Sequence, residues 1–245
     1  MQLFRAHLPI LFSSLIFTFN LAGCNGNGSS SLEDIQGRDF TSGPRGKIPP
    51  GVEPSHGSGC DKGDLNHICL GLRYVVYRDQ SGQAVVSSEQ ASTVVQEINE
   101  IWKQCNLSFV LDEYAAINPP DYGLSYQTAN LSELTTIRNR LNQGHSLLTV
   151  TTGTWNRSGT LGGTGANAWT AMPGGGPYGA VFERPVGTVS NLIAHELGHY
   201  LNLDHVNDSN DVMNPIIYGK SLALSESQCS NARSAALYFW APMLR

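Results

Sequence analysis

The sequence predicts a mixed α/β (α+β) domain over residues 67–245, and three observations carry that reading. Runs rich in β-branched and aromatic residues alternate with segments whose apolar positions recur at helical spacing. The order of these segments, strand, helix, strand and then further strands before a histidine-bearing helix, describes a layered α/β arrangement. Hydrophobic residues make up 40% of the 245-residue chain, enough for one sizeable core.

The elements follow in chain order. Leu70 to Arg78 reads as the first strand. Ser87 and Gln90 form a capping-box pattern. The helix it opens has apolar positions at Ala91, Val94, Val95, Ile98, Ile101 and Trp102. Leu107 to Leu111 is a second strand, and Asn118-Pro119-Pro120-Asp121 a turn. A second helix runs from Leu131 to Leu141 through Leu134, Ile137 and Leu141. Ser146 to Thr151 is a third, buried strand. Residues 152–188 are Gly-rich; two strands are placed there, Ala166 to Met172 and Tyr178 to Glu183, separated by the loop Pro173–Pro177. A helix then spans about Val189 to Leu201, with Thr188 or Ser190 as its cap. No internal repeat is evident.

The first 66 residues have a different character. Leu8 to Leu21 is an apolar run that is short for a membrane span and suits the core of a signal peptide. It ends in Leu21-Ala22-Gly23-Cys24, which resembles the cleavage site of bacterial lipoproteins. That resemblance implies removal of residues 1–23, lipid on Cys24, and a membrane-anchored chain in the cell envelope; Asn25 after the cysteine favours the outer membrane or the cell surface. Residues 24–66 then read as a flexible tether or a short pro-segment, with Asn25–Ser31 of linker composition. With Cys24 set aside, Cys60, Cys69, Cys105 and Cys229 are an even set for an oxidising compartment. Three connectivities are open, and Cys60–Cys69 with Cys105–Cys229 is the one carried forward.

Charged residues are only 14% of the chain, against an average of about 25%. The net charge of −5 argues against nucleic acid as a partner.

One stretch concentrates chemistry: His195-Glu196-Leu197-Gly198-His199-Tyr200-Leu201-Asn202-Leu203-Asp204-His205. Residues four apart on a helix leave the same face one turn apart, so His195 and His199 can meet at one metal ion. Glu196 lies beside the first ligand but off the metal. Adding His205 gives three protein ligands, which leaves a fourth position open, as at a catalytic zinc. Asp61, Asp64, Asp208 and Asp211 are the carboxylates considered for calcium, and none fits a known loop pattern.

The stretch resembles the metzincin clan of zinc peptidases, whose pattern is His-Glu-x-x-His-x-x-Gly-x-x-His. Asn202 stands where the clan has glycine, and asparagine is the next most tolerant residue of a left-handed helix end. Asp211-Val212-Met213-Asn214-Pro215 is similar to the tight turn whose methionine packs beneath the zinc ligands, with a matrixin-like proline. The order of segments 134–169 is similar to the adamalysin (reprolysin) branch, and Leu224–Cys229 with Arg233 to a C-terminal helix capped by Ser225 and Gln228. The resemblance implies a twisted, mixed five-stranded sheet, zinc on His195, His199 and His205, Glu196 as general base, and Met213 in the turn. It also implies an edge strand that pairs with extended substrate, placed at Gly165-Ala166-Asn167-Ala168-Trp169. The expected activity is hydrolysis of peptide bonds in extracytoplasmic proteins. The alternative is a zinc-bearing surface-binding lipoprotein without catalysis.

Overall fold

The structure, a computed structural model, describes residues 60–245. The apolar run 8–21, Cys24 and the tether as far as residue 59 lie outside the described residues.

The domain is built on a five-stranded mixed sheet in the order β2-β1-β3-β5-β4. Strand β1 (Ile68–Tyr77) is central, and all of its residues are buried. Burial on both faces explains why it reads as a nearly unbroken apolar run. Strands β2 (Leu107–Ile117) and β3 (Leu147–Thr151) flank it in parallel. Strand β5 (Ala180–Phe182) continues the parallel set beside β3, and β4 (Ala168–Trp169) closes the sheet antiparallel to β5.

Period-2 alternation along β1 sends its residues to two cores. Ile68, Leu70, Leu72, Tyr74 and Val76 face helices α1 (Ser88–Trp102), α3 (Ser190–Tyr200) and α4 (Glu226–Phe239). Val75 and Tyr77 face α2 (Leu131–Leu141) through Leu134, Ile137 and Leu141. The two capping boxes form: Ser87 with Gln90 opens α1, and Ser225 with Gln228 opens α4. Helix α3 starts without one. Its N-cap is Val189, so neither Thr188 nor Ser190 caps it.

Strand lengths in the sheet differ from the sequence reading. β1 begins at Ile68 and stops before Arg78. β2 runs on past Leu111 to Ile117, because a register shift opposite Leu72 and Arg73 takes up Asp112 and the ladder then resumes. Arg73 and Glu113, partners across that ladder, form an ion pair at 2.7 Å. β4 and β5 are far shorter than Ala166–Met172 and Tyr178–Glu183. The buried Arg138 of α2 donates to the carbonyls of Trp169 and Gly179, each at 2.6 Å. Backbone beside the two strands is therefore held by a guanidinium rather than by a strand partner. The turn at Asn118–Asp121 is one 3-10 turn over Pro119–Tyr122.

Two disulfides join Cys60 to Cys69 and Cys105 to Cys229. The second ties α4 to the segment that follows α1. Among the described residues no helix is long and apolar enough to cross a membrane.

Candidate metal centre

Helix α3 is buried on nearly every side. Leu192, Ile193, Ala194 and Leu197 fill the larger core. That packing leaves His195, Glu196 and His199 in the interior, each at most 1% exposed.

The helix ends in a two-bond closure. The Asn202 N–H donates to the His199 carbonyl, and the Leu203 N–H to the Gly198 carbonyl, both at 3.0 Å. This is the Schellman pairing, which requires a left-handed residue at the position after the cap. Asn202 fills it with φ of 61°. The departure from glycine thus keeps the turn, and the chain swings back to bring His205 to the pair on α3.

The three rings converge through their Nε2 atoms. His195 Nε2 lies 3.1 Å from His199 Nε2 and 3.3 Å from His205 Nε2. On the other side of two rings, His195 Nδ1 donates to the Val212 carbonyl at 2.7 Å and His199 Nδ1 to the Leu203 carbonyl at 2.8 Å. A carbonyl can only accept, so the proton of each neutral ring sits on Nδ1 and the lone pair on Nε2. Burial opposes a second proton: it holds His195 well below its ordinary value and pushes His199 down to about 4. Two lone pairs therefore face each other, an arrangement that repels unless a cation lies between them. Nitrogens held at about 2.0–2.1 Å around a tetrahedral ion sit about 3.3 Å apart. The triad matches that spacing and forms a group able to hold a metal ion.

Glu196 is fully buried, and among the described residues neither carboxylate oxygen has a hydrogen-bond partner. Burial raises its pKa to about 7; the neighbouring Thr170 hydroxyl and the Arg138 charge act against that rise. The Thr170 hydroxyl is near enough to act on the carboxylate but closes no hydrogen bond of ordinary geometry.

Met213 packs under α3. A Cβ on Gly198 would come within 2.3 Å of its Sδ, so glycine between the two histidines is what allows the methionine to lie there. Asp211 shapes the turn: one carboxylate oxygen accepts from the Met213 N–H at 2.7 Å and from Gln228 Nε2 at 3.0 Å. The same turn places the Val212 carbonyl on His195.

Of the segment expected to form the substrate edge, only Ala168 and Trp169 are in a strand, and that strand is the outermost of the sheet. Gly165 lies outside it, ending a 3-10 turn with φ of 67°. Ala166 and Asn167 also lie outside the strand; Arg157 donates to the Ala166 carbonyl and to Asn167 Oδ1. The carboxylates considered for calcium make turns instead. Asp61, Asp64 and Asp208 each accept a backbone N–H two residues on, and none joins a ligand cluster among the described residues. His67 does lie beside Cys60 and Cys69, but those sulfurs are bonded to each other.

Thr170, Arg138 and the Val212 and Leu203 carbonyls belong to the site without any signal in residue spacing. Gly198 did carry a signal, a glycine in mid-helix where it costs about 1 kcal/mol against alanine.

No family model matches the chain, and no curated protein does. Among solved structures the chain is similar to metalloproteinase-II from Bacteroides fragilis, at 16% identity and a TM-score of 0.46. It is also similar to a chain in a chaperone-substrate complex, at 14% identity and a TM-score of 0.47. The matches cover 68% and 71% of this chain but only 53% and 36% of those two. Likenesses this distant assign no chemistry.

Proposed function

We propose that the chain is a zinc-dependent metalloendopeptidase acting on extracytoplasmic proteins. One observation carries the reading: three histidine Nε2 atoms converge at metal-ligand spacing, and the neighbouring Glu196 is a buried carboxylate whose oxygens have no hydrogen-bond partner among the described residues. A three-imidazole donor set with an open position suits zinc.

A zinc ion held there would supply Lewis acidity toward a water and a peptide carbonyl. The chain's own residues do the rest. The Val212 and Leu203 carbonyls fix the tautomers of His195 and His199, so both present Nε2. Glu196 takes the proton of the attacking water and passes it to the departing amine. Its oxygens, without hydrogen-bond partners among the described residues, are free to take up that proton and give it back. The strand β4 is the outermost of the sheet, the position at which an extended peptide would add to it.

We further propose that lipid on Cys24 holds the enzyme in a bacterial envelope. The Leu21-Ala22-Gly23-Cys24 sequence and a pair of disulfides, which persist in oxidising compartments, support that location.

The test is metal analysis of the purified chain together with cleavage of a mixed protein substrate. The expected result is one zinc per chain and cleavage that a chelator stops. Glu196→Ala keeps the zinc and loses cleavage. Cleavage that survives in Glu196→Ala would sink the mechanism, and zinc bound without cleavage by the native chain would favour a non-catalytic binding protein.

A further inference from the structure

Outside the three histidines, one further cluster of metal-ligating atoms occurs among the described residues. Cys60 and Cys69 offer their sulfurs and His67 a ring nitrogen, all within 4.8 Å of one another. The two sulfurs are joined as a disulfide, so they do not bind an ion in that state. Opened, they become two thiolates beside an imidazole, a donor set that suits zinc and leaves a fourth position free.

We infer that Cys60, His67 and Cys69 form a redox-controlled zinc site, closed while the disulfide stands and able to take up the ion once it is reduced. The inference does not depend on the metallopeptidase reading.

The surroundings hold the three ligands together without help from the sulfur bond. Cys69 lies on β1 opposite Ser108 of β2, and the Ser108 hydroxyl meets His67 Nε2 at 2.9 Å. A hydrogen-bond partner on one ring nitrogen is what orients a ligand imidazole. The loop that leads from Cys60 to His67 is closed by its own turns. The Asp61 carbonyl accepts from the Asp64 N–H, and the Asp61 and Asp64 carboxylates accept from the Gly63 and Asn66 N–H groups, at 2.8–2.9 Å. Arg233 of α4 donates to the Leu65 carbonyl and also to the Cys105 and Asn106 carbonyls. None of these bonds uses a cysteine sulfur, so they keep Cys60 near His67 when the bridge is open.

This bridge is also the easier of the two to open. It closes a sequence separation of 9, against 124 for Cys105–Cys229, and a shorter loop is stabilised less by its cross-link. Cys60 is only half-buried, which admits a reductant. A dithiol reductant passes two electrons to the bridge: the S–S bond breaks, two thiols form and the reductant leaves as a disulfide. Zinc then replaces the two thiol protons, which pass to water. Metal and oxidant thus compete for the same pair of sulfurs.

The test uses cobalt(II), whose bonds to thiolate give a charge-transfer absorption that bonds to imidazole do not. The full chain is loaded with cobalt as purified and, without air, after treatment with a dithiol that is then removed. The reduced chain is expected to bind one cobalt more than the oxidised chain, and the added ion carries the absorption. Cys60→Ser abolishes it, Ser108→Ala weakens its binding about tenfold, and His67→Ala weakens it further. Circular dichroism follows the fold of each form. No added cobalt on reduction overturns the inference, and so does an added ion that survives in Cys60→Ser, which would lie at Cys105 and Cys229 instead. A His67→Ala variant that binds as tightly as the native chain, or a reduced chain that unfolds even with metal present, overturns it too. The count is a difference between two forms of one chain, so a three-histidine site that bound no metal would sink the metallopeptidase reading and leave this one standing.

Discussion

Gly198→Ala is expected to destabilise the domain and weaken its metal centre, although alanine is the better helix former. The added methyl would lie 2.3 Å from Met213 Sδ, against the roughly 3.5–4.0 Å of a relaxed contact, and 3.1 Å from Met213 Cε. Over an ångström must be absorbed, and Met213 is fully buried with Trp102 on the same side, so it has nowhere open to go. Overpacking costs about 1–3 kcal/mol, and an overlap of over an ångström against a fully buried sulfur falls in the upper half of that range, about 2–3 kcal/mol. The helix preference of alanine over glycine offsets up to about 1 kcal/mol of that. A net loss of about 1–2 kcal/mol corresponds to a fall in Tm of roughly 2–8 °C for a domain of this size. The displaced turn also carries the Val212 carbonyl that fixes the His195 tautomer, so zinc affinity falls with stability. Thermal melts followed by circular dichroism, and zinc competition against a chromophoric chelator, measure the two effects. Adding Met213→Ala removes the obstructing sulfur, so the double variant loses less than the sum of the single losses. A Gly198→Ala variant as stable as the native chain, or strictly additive losses in the double variant, would refute the account of how Met213 supports the helix.

Asn202→Gly keeps the left-handed closure and is expected to leave stability and zinc affinity close to native, whereas Asn202→Val forces a β-branched residue to positive φ. It costs at least about 1–2 kcal/mol and weakens zinc binding through His205; zinc titration of the two variants checks it, and equal affinities would show that the turn does not position His205. Replacing both Cys105 and Cys229 by serine opens a loop of sequence separation 124 and is expected to cost about 2–5 kcal/mol of stability while zinc still binds. Chemical denaturation reads this as a lower midpoint, and an unmoved midpoint would mean the bridge adds nothing to holding α4 in place.

Much of the site was legible because it is local. His195, Glu196 and His199 share one helix, and a helix converts spacing into direction without help from the rest of the chain. Asn202 was legible for the same reason: few residues tolerate φ near 61°, and asparagine is one of them. The capping boxes at Ser87 and Ser225 involve partners three residues away and formed as read. Strand extents were less legible. Leu107–Leu111 announces itself by apolar content, but Glu113–Ile117 joins β2 where β1 supplies ladder partners and Arg73 meets Glu113. In the glycine-rich 152–188 segment, Arg138 holds the backbone at the end of β4 and just before β5, from a helix 31 to 41 residues earlier.

The sequence by itself determined the spacing of the three histidines, the turn that returns His205, the order of strands and helices, and a methionine placed to support the helix. These follow from backbone geometry over a few residues, where each side chain's direction is set by its neighbours in the chain. Tertiary structure alone decided which proton each imidazole keeps, how completely Glu196 is sealed from water, and why residue 198 is glycine. Those depend on groups far apart in sequence meeting in a space too close-packed to leave slack, and no local rule encodes which group will arrive.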